Sequence, residues 1–213
     1  MTMTDFGDLN IIGLTGTSGA GKTAASRVFA ERGFIAVDCD RTARRVISGS
    51  KCAEEVRRVF PELYDGENVF DRKKAALTLF SSPEKLSLYE KTVFPYVIYG
   101  IIRVIVEYSK KGARDFLLDA PTLYQSGADD FCKVVIAVVS DRDTAIRRIV
   151  ERDKIDAASA ALRLGAQRDA GFFKERAGYV VENNGDLEQF TEKINEMING
   201  LKNGGNKKRE KTG

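Results

Sequence analysis

Short apolar runs alternate along the chain with longer stretches in which apolar residues recur at helical spacing. Leu9 to Leu14 is an apolar run followed by glycines, which suits a buried strand. Lys22 to Glu31 carries Ala24, Ala25, Val28 and Phe29 at helical spacing, and Gly33 stands where a helix would stop. Phe34 to Val37 is a second apolar run, ending in Asp38-Cys39-Asp40. Strand, glycine loop, helix and strand in that order open an α/β fold with a parallel sheet. From residue 41 to 111 the pattern is helical, punctuated at Pro61, Tyr64-Asp65-Gly66 and Ser81-Ser82-Pro83. A strandless excursion of that length exceeds an ordinary crossover, so it is read as a substrate-side subdomain. Phe116 to Leu118, ending in Asp119, predicts a third strand, and the β-branched run Val134 to Val139 a fourth. Asp143 to Arg152 and Ala157 to Arg168 predict two basic helices, Tyr179 to Val181 a short fifth strand, and Leu187 to Leu201 a closing amphipathic helix.

Composition changes this picture little. The 213 residues suit one domain, and the net charge of +3 does not by itself point to a nucleic-acid partner. No run reaches the roughly 18 apolar residues that a membrane span needs. The N-terminal ten residues are polar and acidic, unlike a signal peptide, and the Gly- and Lys-rich end from Asn203 to Gly213 is expected to be a solvated tail. Cys39, Cys52 and Cys132 are odd in number and lack metal-like spacing, so reduced thiols in a cytoplasmic protein are expected. The absence of histidine matters more: acid–base chemistry must fall to carboxylate, Lys, Tyr or Cys.

The chemistry begins at Gly16-Thr17-Ser18-Gly19-Ala20-Gly21-Lys22-Thr23, which matches the Walker A pattern in full and lies between a predicted strand and a predicted helix. Its glycines let backbone N–H groups converge on one concavity, and the start of the helix adds its own partial positive charge. Gly19, Ala20, Gly21, Lys22, Thr23 and Ala24 are therefore expected to hold ATP, with the Thr23 hydroxyl available to Mg²⁺. Asp38 and Asp40 follow the second strand, at the carboxyl edge where α/β sheets bind ligands. Either suits a base for an attacking hydroxyl, Asp40 above all; the alternative for each is a helix cap, since Asp40 directly precedes the helix at Arg41, and both roles can hold together. If the strand continues, the two side chains point the same way. Arg147, Arg148 and Arg152, with Arg163 and Arg168 beyond, form a basic lid; guanidinium groups stabilise a transferring phosphoryl, though any single one also serves as an ordinary exposed helix residue. No Asn-Lys-x-Asp loop of a GTPase and no Ser-Gly-Gly-Gln signature of a transporter ATPase is present. A small-molecule kinase of the P-loop type fits best: a five-stranded parallel sheet with helices on both faces, a helical insert and an Arg-rich helical lid. As one domain it divides into a core at about 9–40, 112–140 and 178–201, an acceptor-side insert at about 41–111, and a lid at about 141–177.

Beyond the loop, the chain resembles the dephospho-coenzyme A kinase family from about Leu9 to Leu201. That family opens Gly-Leu-Thr-Gly-Gly-Ile-Gly-Ser-Gly-Lys-Ser, against GLTGTSGAGKT at Gly13 to Thr23. Its Asp-Ala-Asp is similar to Asp38-Cys39-Asp40, and its Asp-x-Pro-Leu-Leu-Phe-Glu-Ser-Gly to the segment from Asp119 through Pro121, Leu123, Tyr124 and Gln125 to Gly127. The middle elements Val69 to Arg72 and Phe80 to Pro83, the lid segments Glu151 to Asp153 and Arg163 to Gln167, and Asn183-Asn184-Gly185 also match. Two departures stand out: Phe94-Pro95 replaces the family's His-Pro, and Tyr124-Gln125 replaces its Phe-Glu. The resemblance implies ATP-dependent phosphorylation of the ribose 3′-hydroxyl of dephospho-coenzyme A by a cytoplasmic monomer. It further implies Asp40 as the base and Lys22 with Arg148 or Arg152 as phosphoryl stabilisers. Asp119 would hold Mg²⁺ through water, and Asn184 would border the adenine. Thr15, Asp38, Asp40, Arg44, Pro121 and Leu123 would line the acceptor site. The rival readings are a kinase for a nucleoside, nucleotide or sugar acid, and a nucleotide-binding regulator with weak catalysis.

Overall fold

The structure, a computed structural model, describes residues 6–203; the predicted tail beyond them lies outside it. Five strands form one parallel sheet: β1 (Asn10–Gly16), β2 (Ile35–Asp38), β3 (Asp115–Asp119), β4 (Val134–Val139) and β5 (Tyr179–Glu182), in the order β2-β3-β1-β4-β5. Chain order reverses about β1, and at such a switch point an α/β sheet opens a crevice beyond its carboxyl edge. The register aligns that edge: Leu14 is opposite Asp119, and Asp119 is opposite Asp38.

Strand alternation sorts the core into two layers. Ile12, Leu14, Leu117, Ile136 and Val138 face α1 (Lys22–Glu31) and the last helix, Leu187–Asn203, through Val28, Phe29, Phe190 and Ile194. Ile11, Val37, Phe116 and Leu118 face the other way, into a cluster shared with the inserted helices. Those helices are α2 (Cys39–Ile47), α3 (Ser50–Val59), α4 (Arg72–Phe80) and α5 (Pro83–Lys110). The helical reading of 41–111 is matched, with an isolated antiparallel bridge between Tyr64 and Phe70 as its extended exception. The 28-residue α5 runs through Pro95 and is, by length and composition alone, long and apolar enough to cross a membrane, which the count of apolar residues did not register. In this fold its Val93, Val97, Ile101 and Ile105 recur every four residues and pack into the core. Beyond β4 come α6 (Arg142–Asp153), α7 (Ala157–Gly165) and α8 (Ala170–Arg176), then α9 (Leu187–Asn203). The sequence reading merged the region of α7 and the connection after it, and passed over α8. That helix buries only Phe173 and is too short to show a period.

Candidate active site

The loop from Gly16 to Gly21 joins β1 to α1. Gly16 has φ 144°, and a Cβ there would lie 2.8 Å from the Val138 carbonyl carbon, so β4 closes against the loop only because no side chain intervenes. Gly21 caps α1 at φ 102° and supplies no side chain to the helix's first N–H groups. By contrast α2, α4, α5, α6, α7 and α8 are each capped by an Asp or Ser side chain. The open first turn of α1 is thus a place for an external anion. Within the loop, the Thr17 hydroxyl is buried and has no hydrogen-bond partner among the described residues. Lys22 leaves the first turn of α1 and forms a part-buried ion pair with Asp119 at the end of β3.

Asp40 lies close enough to this pair to feel Lys22 and Asp119, and Asp38 besides. The strand ends at Asp38, which is itself the cap of α2: its carboxylate accepts from Arg41 N at 2.7 Å. Asp40 is therefore not the cap but sits in the first turn, and the two Asp side chains do not share a strand face. Cys39 turns into the core between them, where burial, then the neighbouring carboxylates, push its thiol up. Asp40 is half-buried, and its carboxyl is raised above the ordinary aspartate value. Desolvation is the largest cause; Lys22 pulls the other way, Asp38 and Asp119 add to the rise, and Arg44 opposes it. Arg44 lies one turn beyond Asp40 on α2. Thr15 is fully buried and donates a long bond, 3.4 Å, to the Pro121 carbonyl, so it fixes the turn after β3 and presents no free hydroxyl. Leu123 is also fully buried, in the core beneath β1, which corrects its expected place on the acceptor wall.

The lid arginines separate. Arg148 Nη1 donates to Asn183 O at 2.9 Å and Nη2 to Gly185 O at 3.2 Å, which engages it with the loop after β5 instead of leaving it over the crevice. Arg152 makes two bonds to Asp153, at 2.7 and 2.8 Å, and Arg163 shares the same carboxylate at 2.6 Å. Asn184 Oδ1 accepts from Asp141 N at 2.8 Å, tying the loop to the cap of α6. Asn183 is the residue that pattern reading undervalued. It is buried, and its Nδ2 donates to Ala20 O at 2.7 Å, inside the glycine loop. A Cβ on Gly21 would overlap that same amide. A polar Asn directly after a strand, followed by Asn-Gly, is the only sequence signal of this role.

Residues 10–189 match the family model described as dephospho-CoA kinase. The chain belongs to the dephospho-CoA kinase family. A dephospho-CoA kinase of Fusobacterium nucleatum is 34% identical over 185 residues, covering 86% of this chain and 94% of that one. One from Arabidopsis thaliana is 31% identical over 194 residues, covering 89% and 83%. Among solved structures, a Thermus thermophilus protein superposes with a TM-score of 0.76 at 28% identity, covering 91% of this chain and 98% of that one. The dephospho-CoA kinase from Campylobacter jejuni gives 0.66 at 22%, covering 92% and 98%, a likeness of fold.

Dephospho-CoA kinases are phosphotransferases, and a kinase draws on ATP. The residues present fit a phosphate chain and a hard cation. The uncapped first turn of α1 offers N–H donors, and Thr23 and Asp119 carry oxygens that suit a hard cation. Among the described residues no group of three or more His, Cys, Asp or Glu is arranged to hold a metal alone. Of the two family departures, Phe94 is half-buried on α5 and Gln125 is exposed after β3.

Proposed function

We propose that this chain phosphorylates the ribose 3′-hydroxyl of dephospho-CoA with ATP, giving CoA and ADP, the last step of CoA synthesis. The observation that carries the reading is the convergence of Lys22, Asp40 and Asp119 at the carboxyl edge of the switch-point strands, beside an uncapped glycine-loop helix. The glycine loop and the first turn of α1, from Gly19 to Ala24, bind the β- and γ-phosphates of ATP. Asn184 and its neighbours border the adenine. Asp40 orients the 3′-hydroxyl and takes its proton as the oxygen bonds to the γ-phosphorus. The bond from that phosphorus to the bridging β,γ-oxygen breaks, and ADP leaves. Lys22 offsets charge on the transferring group, and Arg152 joins it from the lid. Thr23 and Asp119, the latter through water, hold Mg²⁺, which neutralises phosphate charge when bound.

Asp38 and Arg44 flank the acceptor, with the Pro121 segment opposite. Every assigned residue comes from one chain, so a monomer suffices, and three unpaired cysteines suit a cytoplasmic setting. The test is a panel of acceptors at fixed Mg-ATP: dephospho-CoA against adenosine, nucleoside monophosphates and sugar acids. The highest kcat/KM belongs to dephospho-CoA; a nucleotide or sugar acid that outperforms it overturns the assignment.

A further inference from the structure

The outward face of α5 carries apolar surface that the core does not use. The helix is apolar enough to cross a membrane, yet only 28% of its most apolar 18-residue stretch is buried. Val93, Val97, Ile101 and Ile105 take the inner face. On the other side Leu88, Thr92, Pro95, Tyr99, Ile102 and Val106 follow at steps of four, three, four, three and four residues. At about 100° per residue all six keep within about 40° of one line, half a turn round from Val97. Leu88 is 48% and Tyr99 63% exposed; Pro95 is exposed too, and the other three are half-buried. Lys91 and Arg103 border the line on either side. Alternating steps of four and three make the a/d seam of a coiled coil. Such a seam is narrower than the face that a lipid surface or a globular groove takes.

We propose that this seam is an interaction surface for a second copy of the chain, the two α5 helices packing antiparallel about a two-fold axis level with Val97. The six positions are symmetric about that residue, so the seam complements itself, as a two-fold interface requires. Leu88 meets the partner's Val106, Thr92 the partner's Ile102, and Pro95 lies flat on the partner's Tyr99. The same register sets Glu84, in the first turn of α5, opposite the partner's Lys110 in the last, once at each end of the pair. Neither Glu84 nor Lys110 is in an ion pair among the described residues; the neighbouring Lys111 is the one that takes Glu107. Lys91 and the partner's Arg103 come level with each other but on opposite flanks, so the like charges stay apart. No residue assigned to phosphoryl transfer lies on the seam, so the pairing is independent of the activity proposed above.

The experiment is sedimentation equilibrium of the full chain from low-micromolar to near-millimolar concentration. The parent is compared with Tyr99→Glu, Glu84→Lys, Lys110→Glu and the variant carrying both reversals, each first shown to be folded by circular dichroism. The parent passes from monomer to dimer across that range. Tyr99→Glu buries an unpaired charge at the middle of the seam and raises the dimer dissociation constant roughly thirty- to hundred-fold. Each single reversal sets like charges together at both ends and raises it about three- to tenfold, and the two reversals together restore the parent's value. A parent that stays monomeric, a dimer indifferent to Tyr99→Glu, or single reversals that match the parent overturns the seam. So does a monomeric parent that sediments with phosphatidylcholine–phosphatidylglycerol vesicles and is released from them by Tyr99→Glu, since the face then belongs to lipid.

Discussion

Asp40 carries the most chemistry per residue. Its carboxyl is raised above the ordinary aspartate value, chiefly by burial and against the pull of Lys22. The base must be ionised, so activity falls as pH drops through this raised value. The acid limb of kcat/KM is expected above the range of an exposed aspartate, and a limb at or below that range contradicts the assignment. Asp40→Asn removes the limb and lowers turnover by roughly 10²–10⁴ while ATP still binds. Stability follows the same sign. With its folded pKa above the unfolded one, Asp40 contributes stability that is complete below the unfolded pKa and lost as pH rises through the folded value. At neutral pH, Asp40→Asn should therefore melt at a higher temperature than the parent, and a lower one argues against a desolvated carboxylate. Asp40 itself was readable from its place after a strand. Its exchange of roles with Asp38 was not, because the helix starts at Cys39, whose small apolar side chain turns into the core.

At the scale of elements, the glycine loop is held by more than its own sequence. Asn183 joins it to the loop after β5, and Arg148 fixes that loop to α6. Asn183→Ala leaves the Ala20 carbonyl without its donor and costs about 1–3 kcal/mol of stability. It should raise KM for ATP several-fold and leave KM for the acceptor unchanged; equal effects on both would mean a general loss of structure. A second element contact sets the acceptor side. α2 packs on α5 at Gly100, where a Cβ would come within 2.9 Å of Thr42 Cγ2 and Val46 Cγ2. Gly100→Leu forces the two helices apart, costs about 1–3 kcal/mol and carries Asp40 away from Lys22. Turnover should then fall by more than ATP affinity does. Walker A was legible because its chemistry is local in sequence. Asn183 to Ala20 spans 163 residues, and Thr15 and Leu123 are claimed by tertiary packing, so no short pattern could announce their places.

For the whole molecule, sheet order and layers make one consistent arrangement. The strands were legible because each is a short apolar run, and all five begin within a residue of the pattern. The length of α5 was obscured by Pro95, a residue that ordinarily ends a helix; packing through Val93, Val97, Ile101 and Ile105 carries the helix past it. The lid and the insert face one another through Arg168, which pulls down the Glu90 carboxyl that burial pushes up. The central claim concerns the bond made at the Lys22–Asp40–Asp119 centre. The most direct measurement is phosphorus NMR of the products formed from dephospho-CoA and Mg-ATP by the parent chain and by Asp40→Asn. The parent should build up a ribose 3′-phosphomonoester in step with ADP, and Asp40→Asn should form almost none while binding ATP. ADP without that ester, an ester at another position, or full turnover by Asp40→Asn would contradict it.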